Sequence, residues 1–502
     1  MATRLADEAL ADIQGFITSG YGHLPLACYL FLQIHEATRA QQYLVRLLGR
    51  VTSAAPWPTV DGRKLKPSAA VNVAFTAAGL TALGVPERVR CTFPPEFQDG
   101  IATRNRCAIL GDTEESAPDR WEFGGPVHPP IHIVVMIHGS SDAELDRQCE
   151  FHREIVSTTG GAVSELRGAT QNGYRPSGDH EPFGFHDGIA QPSIRGITGD
   201  GVPTGEFILG YENHYGLVPP APIVPEDLEG SALLRPLANP YHQAGRVRDL
   251  GFNGSYVVYR KLQQDVAAFW SFTQREAVRA TGRPDTAHML WVASRMMGRW
   301  PSGAPLVMAP ERDDPRLRDH NEFLYDDDVD GFACPLGAHV RRTNPRAVLK
   351  PYGVAQSLSM TEAHRLLRRA RVFGRPLFDA AVLQHSDSTA VAKILNTLAD
   401  DGVARGIHFF CVNASIKSQF EFVQQTWCNN PRFGGLTVNR DPITGDNARS
   451  DAPPTHMEIP HRPVAYRTAA LPRFVTVKAG AYLFMPSMTA LRFLSAFRAA
   501  ER

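Results

Sequence analysis

The chain has 502 residues, with Lys+Arg and Asp+Glu both at 52, so its formal net charge is zero. That length exceeds what one growing core accommodates, which predicts two domains. The charge balance argues against bulk electrostatic binding to nucleic acid or to an anionic membrane surface.

The first residues, 1–13, place acidic side chains where a secretory leader would carry an unbroken apolar run, and they lack a twin arginine. No uncharged stretch reaches bilayer-spanning length, so the sequence predicts a cytoplasmic protein with no membrane partner. Four segments then repeat one pattern, an apolar run rich in Val, Ile, Phe and Tyr followed by a helical periodicity. They are 28–34 with 38–50, 131–137 with 143–156, 254–261 with 266–280, and 407–413 with 415–427. Two such units per half suit a duplicated ferredoxin-like arrangement, an α+β fold of antiparallel sheets with peripheral helices. One large α/β sheet would space them more closely and evenly. The proline-rich stretch 216–225 is the best linker, which sets the expected domains at 1–220 and 221–502. A second irregular region, 299–351, is dense in Gly, Pro, Asp and Arg, and a loop that long is functional or disordered. The seven cysteines are odd in number and scattered without a C-x-x-C, which argues against a disulfide framework or a zinc knuckle.

Two positions carry the chemistry. Asp187 stands in Phe-Gly-Phe-His-Asp-Gly-Ile-Ala-Gln-Pro, 183–192. Alone, Asp-Gly reads as a turn in which Gly188 takes positive φ. His339 stands in Cys-Pro-Leu-Gly-Ala-His-Val-Arg-Arg-Thr-Asn-Pro-Arg, 334–346. Most of the 18 histidines are expected to be surface or satisfied core residues. At His339, however, Gly337 and Ala338 allow close approach of a large flat ligand, and Arg341, Arg342 and Arg346 offer donors for its carboxylates. Asp326 to Gly331 opens like a calcium loop, but the twelfth position is Gly337 rather than Glu, so a solvated acidic loop is expected.

The string from Glu181 to Pro192 resembles the G-x-x-D-G region of the dye-decolorising peroxidases along its whole length. Segments 12–15, 253–262, 419–424 and 474–486 also look like counterparts in that family, so the resemblance spans nearly the whole chain. It implies two ferredoxin-like domains sandwiching a haem, in the manner of the family's long, leaderless bacterial branch. It makes His339 the axial ligand of the iron, with Arg342 at a propionate. Asp187 would sit on the other face and handle the peroxide proton. Arg368 would point into the same pocket and stabilise negative charge. The run 364–374 departs from the family's Arg-Arg-Gly-x-Pro-Tyr-Gly at Ala370 and Val372, so Arg369 and Arg371 are rivals for that place. The residue supporting His339 from behind is sought near Ser415, where Glu421 or a backbone carbonyl are the candidates. The absence of C-x-x-C-H implies non-covalent haem b. The implied partners are hydrogen peroxide and small aromatic or dye donors oxidised by one-electron steps. The competing readings are a haem carrier or sensor, and an enzyme that releases iron from haem. Neither accounts for a paired Asp187 and Arg368.

Overall fold

In β1 (Leu26–Ile34) the outer residues Cys28, Leu30 and Leu32 and the inner residues Ala27, Tyr29 and Phe31 are all apolar and buried, so the strand must be covered on both faces. The computed structural model of the protein, which describes residues 4–237, 247–349, 351–384 and 388–497, satisfies this by closing its sheet into a barrel. β1 pairs antiparallel with β3 (Ile133–Gly139) and β4 (Gln171–Tyr174), and β3 pairs with β2 (Ala69–Phe75). In the C-terminal half, β5 (Ser255–Gln264) pairs with β7 (Gly406–Asn413) and β8 (Val475–Met485), while β6 (Arg371–Phe373) pairs with β7. Two seams, each a single residue pair, join the half-sheets: Phe75 with Phe484, and Tyr174 with Val372.

The barrel interior is filled by Ala27, Tyr29, Phe31, Val134, Met136, Tyr259, Phe410 and Leu483, with Ala70, Ala74, Ala479 and Ala481 leaving room for the rings. Helices cover the outside. α1 (Ala37–Leu48) and α2 (Asp142–Ser157) pack on the N-terminal half; α3 (Val266–Thr281) and α4 (Thr286–Met297) pack together in the C-terminal half. Asp265 and Asp285 cap the first turns of α3 and α4 by accepting from Ala268 N and His288 N. Gly282 and Gly298, at φ 77° and 97°, end the same two helices in the left-handed conformation.

The four strand–helix units stand where periodicity places them, displaced by no more than a few residues at each end. The stretch 216–225 is not a bare linker: Ile223–Pro225 pairs with Val247–Asp249. No helix among the described residues is long and apolar enough to cross a membrane.

Candidate functional site

A cavity lies against the outer face of the C-terminal half-sheet. Its floor is made by Leu262 and Gln264 of β5, Ile407 and Phe409 of β7, and Val475 and Val477 of β8. The period of two explains the choice, because Tyr259, His408 and Phe410, which adjoin the cavity-lining Arg260, Ile407 and Phe409, point into the barrel. One wall is the short helix α5 (His339–Thr343) with two π-helical segments, Lys417–Glu421 and Val423–Cys428. The other is the loop 181–191, which arrives from the N-terminal half.

His339 is the first residue of α5 and lines the cavity. Its Nδ1 lies 2.9 Å from Asp441 Oδ2, and Asp441 is fully buried. The other carboxylate oxygen of Asp441 accepts from Ile443 N and Thr444 N, both at 2.8 Å. Burial pushes the Asp441 carboxyl up, but His339, the Thr444 N–H and Arg342 outweigh it and hold the group below the ordinary carboxylate range. An ionised carboxylate only accepts, so Nδ1 of His339 carries a proton towards it, and in the neutral ring Nε2 is the atom left with a lone pair. That is the tautomer a metal ligand needs, backed by the carboxylate that raises its basicity.

Of the two candidates for supporting His339, a backbone carbonyl or Glu421, the second is elsewhere: it accepts from Tyr482 Oη at 2.8 Å and pairs with Arg106 at 3.0 Å. Asp441 takes that place. In sequence Asp441-Pro-Ile-Thr reads only as a turn, 102 residues from the histidine. Arg342 does not reach the cavity. It is fully buried, and its guanidinium donates to the carbonyls of Trp427, Asn430 and Asn439, which ties α5 to the loops beneath it. Arg341 turns inward as well, to Asp328. The acidic loop therefore anchors the segment carrying His339, since Asp328 also accepts from Ala333 N and Cys334 N. The arginines that do line the cavity include Arg346, Arg365 and Arg368. Arg365, which the sequence reading did not single out, makes one long contact, 3.4 Å to Ala190 O. Burial pushes its guanidinium down to about 10, so it stays charged at neutral pH.

The turn bearing Asp187 also lines the cavity. Gly184 and Gly188 hold φ of 100° and 84°, and a Cβ on Gly184 would meet Leu383 Cδ1 at 2.7 Å. Asp187 Oδ1 lies 3.7 Å from Arg368 Nη1, and the two side chains are 40% and 32% exposed. Arg368 is positioned by a two-residue strand, Leu367–Arg368, on β7, and by Nη2 donating to Ile189 O at 3.1 Å. Its rivals point away: Arg369 donates to Phe16 O and Ile17 O, and Arg371 to Gly20, Tyr21 and Leu24 carbonyls. His186 also lines the cavity, but both its ring nitrogens are engaged, by Gly178 O and the Asp319 carboxylate. Glu181 closes the turn from within, accepting from Phe183 N and Phe185 N at 3.0 Å and from Gln264 Nε2 at 2.7 Å. Burial pushes the Glu181 carboxyl up to about 7.

The residues fit a haem. The floor is apolar and broad, one wall offers a lone imidazole nitrogen with a carboxylate behind it, and charged arginines line the rim for propionates. The chain's similarities agree. Residues 12–172 match the DyP dimeric alpha+beta barrel domain. The multifunctional dye peroxidase DyP2 of an Amycolatopsis species is 31% identical over 485 residues, covering 93% of this chain and 91% of the relative. The dye-decolorizing peroxidase msp1 of Mycetinis scorodonius is 27% identical over 501 residues, covering 98% and 88%. A solved dye-decolorizing peroxidase in complex with 2,6-dimethoxyphenol superposes with a TM-score of 0.73 at 28% identity, covering 97% of this chain and 99% of the other. This chain belongs to the dye-decolorising peroxidase family.

Proposed function

We propose that the protein is a peroxidase in which His339 holds the iron of a non-covalently bound haem b, and in which Asp187 and Arg368 act on hydrogen peroxide. The haem, when bound, supplies the centre at which the O–O bond breaks and from which two electrons are drawn, one at a time, out of a donor. The chain's residues do the rest. Asp441 fixes the ring of His339 so that Nε2 faces the cavity. Asp187 takes the proton from one peroxide oxygen and returns it to the other, so that the second leaves as water. Its 3.7 Å separation from Arg368 is too long for a direct hydrogen bond, which leaves its oxygens free for peroxide. Arg368 supplies a fixed positive charge where negative charge develops. Arg365 and Arg346 are the proposed propionate partners, in place of Arg342.

An ordinary Asp has a pKa of about 3.9 and an ordinary His about 6.5. A carboxylate therefore remains a base in acid where an imidazole in its place would be protonated, and dye oxidation is expected to run best on the order of pH 4–5. Small phenols and dyes are the proposed donors, because 2,6-dimethoxyphenol is bound by the structural neighbour. The carrier and iron-releasing readings find no support among these relatives. The seven free cysteines support a cytoplasmic setting, and the division at 1–220 and 221–502 belongs to the same proposal.

The observation that carries the reading is one apolar cavity with a carboxylate-backed imidazole in one wall and a carboxylate–arginine pair in another. The test is haem titration of the purified protein followed by one equivalent of peroxide. A haem spectrum that peroxide changes and that a phenol or dye restores supports the reading; stable haem binding without any reaction would point to a carrier.

A further inference from the structure

Tyr259 and His408 lie on the face of β5 and β7 turned away from the cavity, inside the barrel, and both are fully buried. Their chain neighbours Arg260, Ile407 and Phe409 line the cavity, so a single strand layer separates the pair from it. Tyr259 Oη stands 3.2 Å from His408 Nδ1. His408 Nε2 stands 3.3 Å from the carbonyl oxygen of Asn172. A carbonyl only accepts, so Nε2 carries the ring proton and Nδ1 presents a lone pair to the tyrosine hydroxyl. The pair is thus a phenol donating to a buried neutral base.

We infer that Tyr259 and His408 form an internal redox site: Tyr259 gives one electron to the peroxide-oxidised cavity, and its phenolic proton passes to His408 Nδ1. This inference rests on the peroxidase reading above. The balance is one O–H bond broken, one N–H bond formed, and one electron moved from the phenol ring to the oxidised site. The electron returns from the cavity side, where a donor supplies it, while the proton goes back to the oxygen.

The surroundings suit this step and not its alternatives. Burial pushes the His408 imidazolium down to about 3 and the Tyr259 phenol well above its ordinary value, so the resting pair is uncharged. Loss of an electron makes the phenol a strong acid, and His408 is the base already in contact. After transfer the new N–H points back at the tyrosine oxygen, and Nε2–H keeps its bond to Asn172, so no side chain has to move. Phe31 and Phe410 lie with ring centroids 5.2 and 4.8 Å from Tyr259, and they keep water and small donors away from it. The charge near His408 is Lys261, itself paired with Glu122 at 2.6 Å. Other buried tyrosines lack the arrangement. The hydroxyls of Tyr29 and Tyr256 have no hydrogen-bond partner. Tyr482 donates to Glu421, a carboxylate shared with Arg106, so no imidazole stands at its hydroxyl.

The test is electron paramagnetic resonance on holoprotein mixed with one equivalent of peroxide, without donor, and frozen. The wild type should give a tyrosyl signal coupled to one exchangeable proton and, after 15N-histidine labelling, to a ring nitrogen. That signal should fall to background in Tyr259→Phe and persist in Tyr482→Phe, while haem content stays at the wild-type level in both. An undiminished signal in Tyr259→Phe, its loss in Tyr482→Phe instead, or no 15N coupling in the wild type overturns the inference. The labelled wild type decides the matter even if Tyr259→Phe fails to fold. A full absorption change with peroxide and no tyrosyl signal sinks this inference alone; no absorption change at all sinks the peroxidase reading with it.

Discussion

Asp441, behind His339, is fully buried and uses both oxygens, whereas Asp187 is 40% exposed and meets Arg368 only at 3.7 Å. The first carboxylate sits in a turn tied to Cys428 O through its own N–H, the second on a loop that leaves the barrel and returns. The contrast follows from the tasks. A ligand side must keep one geometry through every step, so its carboxylate is desolvated and saturated with donors. A side that admits peroxide, passes a proton and releases water needs oxygens that are not already bonded. One wall is preorganised by burial, the other by two glycine turns, one short strand and the clamp of Glu181.

The contrast breaks first at the ligand. His339→Ala should lose stable haem binding, read by haem titration; full haem content with an unchanged spectrum would remove His339 from the site. Next is the open wall. Arg368→Leu should retain haem but react with peroxide about 10²–10³ more slowly, the usual cost of one preorganised donor. Arg371→Leu is its control: that guanidinium binds three carbonyls near the N-terminal segment, so stability and not the peroxide rate should fall. A smaller effect is expected behind the ligand, where Asp441→Asn should weaken haem binding by about 10–100-fold. Glu421→Gln should leave it unchanged, because Glu421 faces Tyr482 and Arg106. The smallest effect is a pH dependence of stability. Glu181 is raised in the fold to about 7, against about 4.3 in an unfolded chain. A raised carboxyl contributes stability that is complete below the unfolded value and is lost as pH rises through the folded one. Wild-type Tm should therefore fall relative to Glu181→Gln across that window and level off above it. Parallel Tm curves would show that Glu181 does not titrate there.

How far this contrast could be read from sequence differs between the walls. The glycine-flanked Asp187 and the isolated His339 were legible because turn chemistry and local composition are encoded in consecutive residues. Arg368 was legible only up to its register, since Arg365, Arg368, Arg369 and Arg371 are chemically alike; pairing of 367–368 with β7 decides which of them face the cavity. Asp441 was not legible, because its signal is a turn motif and its partner is brought near by folding alone. Arg342 was misjudged for a related reason: in a short helix of adjacent arginines, sequence does not say which side chain points beneath the helix. In the fold, the four strand–helix units were visible as periodicity. β2, with its small residues, was not, and neither was the closure of two half-sheets through single residue pairs at Phe75 and Tyr174. Such contacts leave no local pattern.

The central claim is that Asp187 moves the peroxide proton while His339 and Asp441 stay fixed. Stopped-flow absorption of the first step after peroxide mixing, in wild type and Asp187→Asn across the acid range, tests it most directly. The wild-type rate should persist well below about pH 6.5, the ordinary value for histidine. In Asp187→Asn it should fall by about 10²–10⁴ at every pH, with haem content intact. An Asn variant that completes this step at near wild-type rate would contradict the account and leave Arg368 as the principal group acting on peroxide.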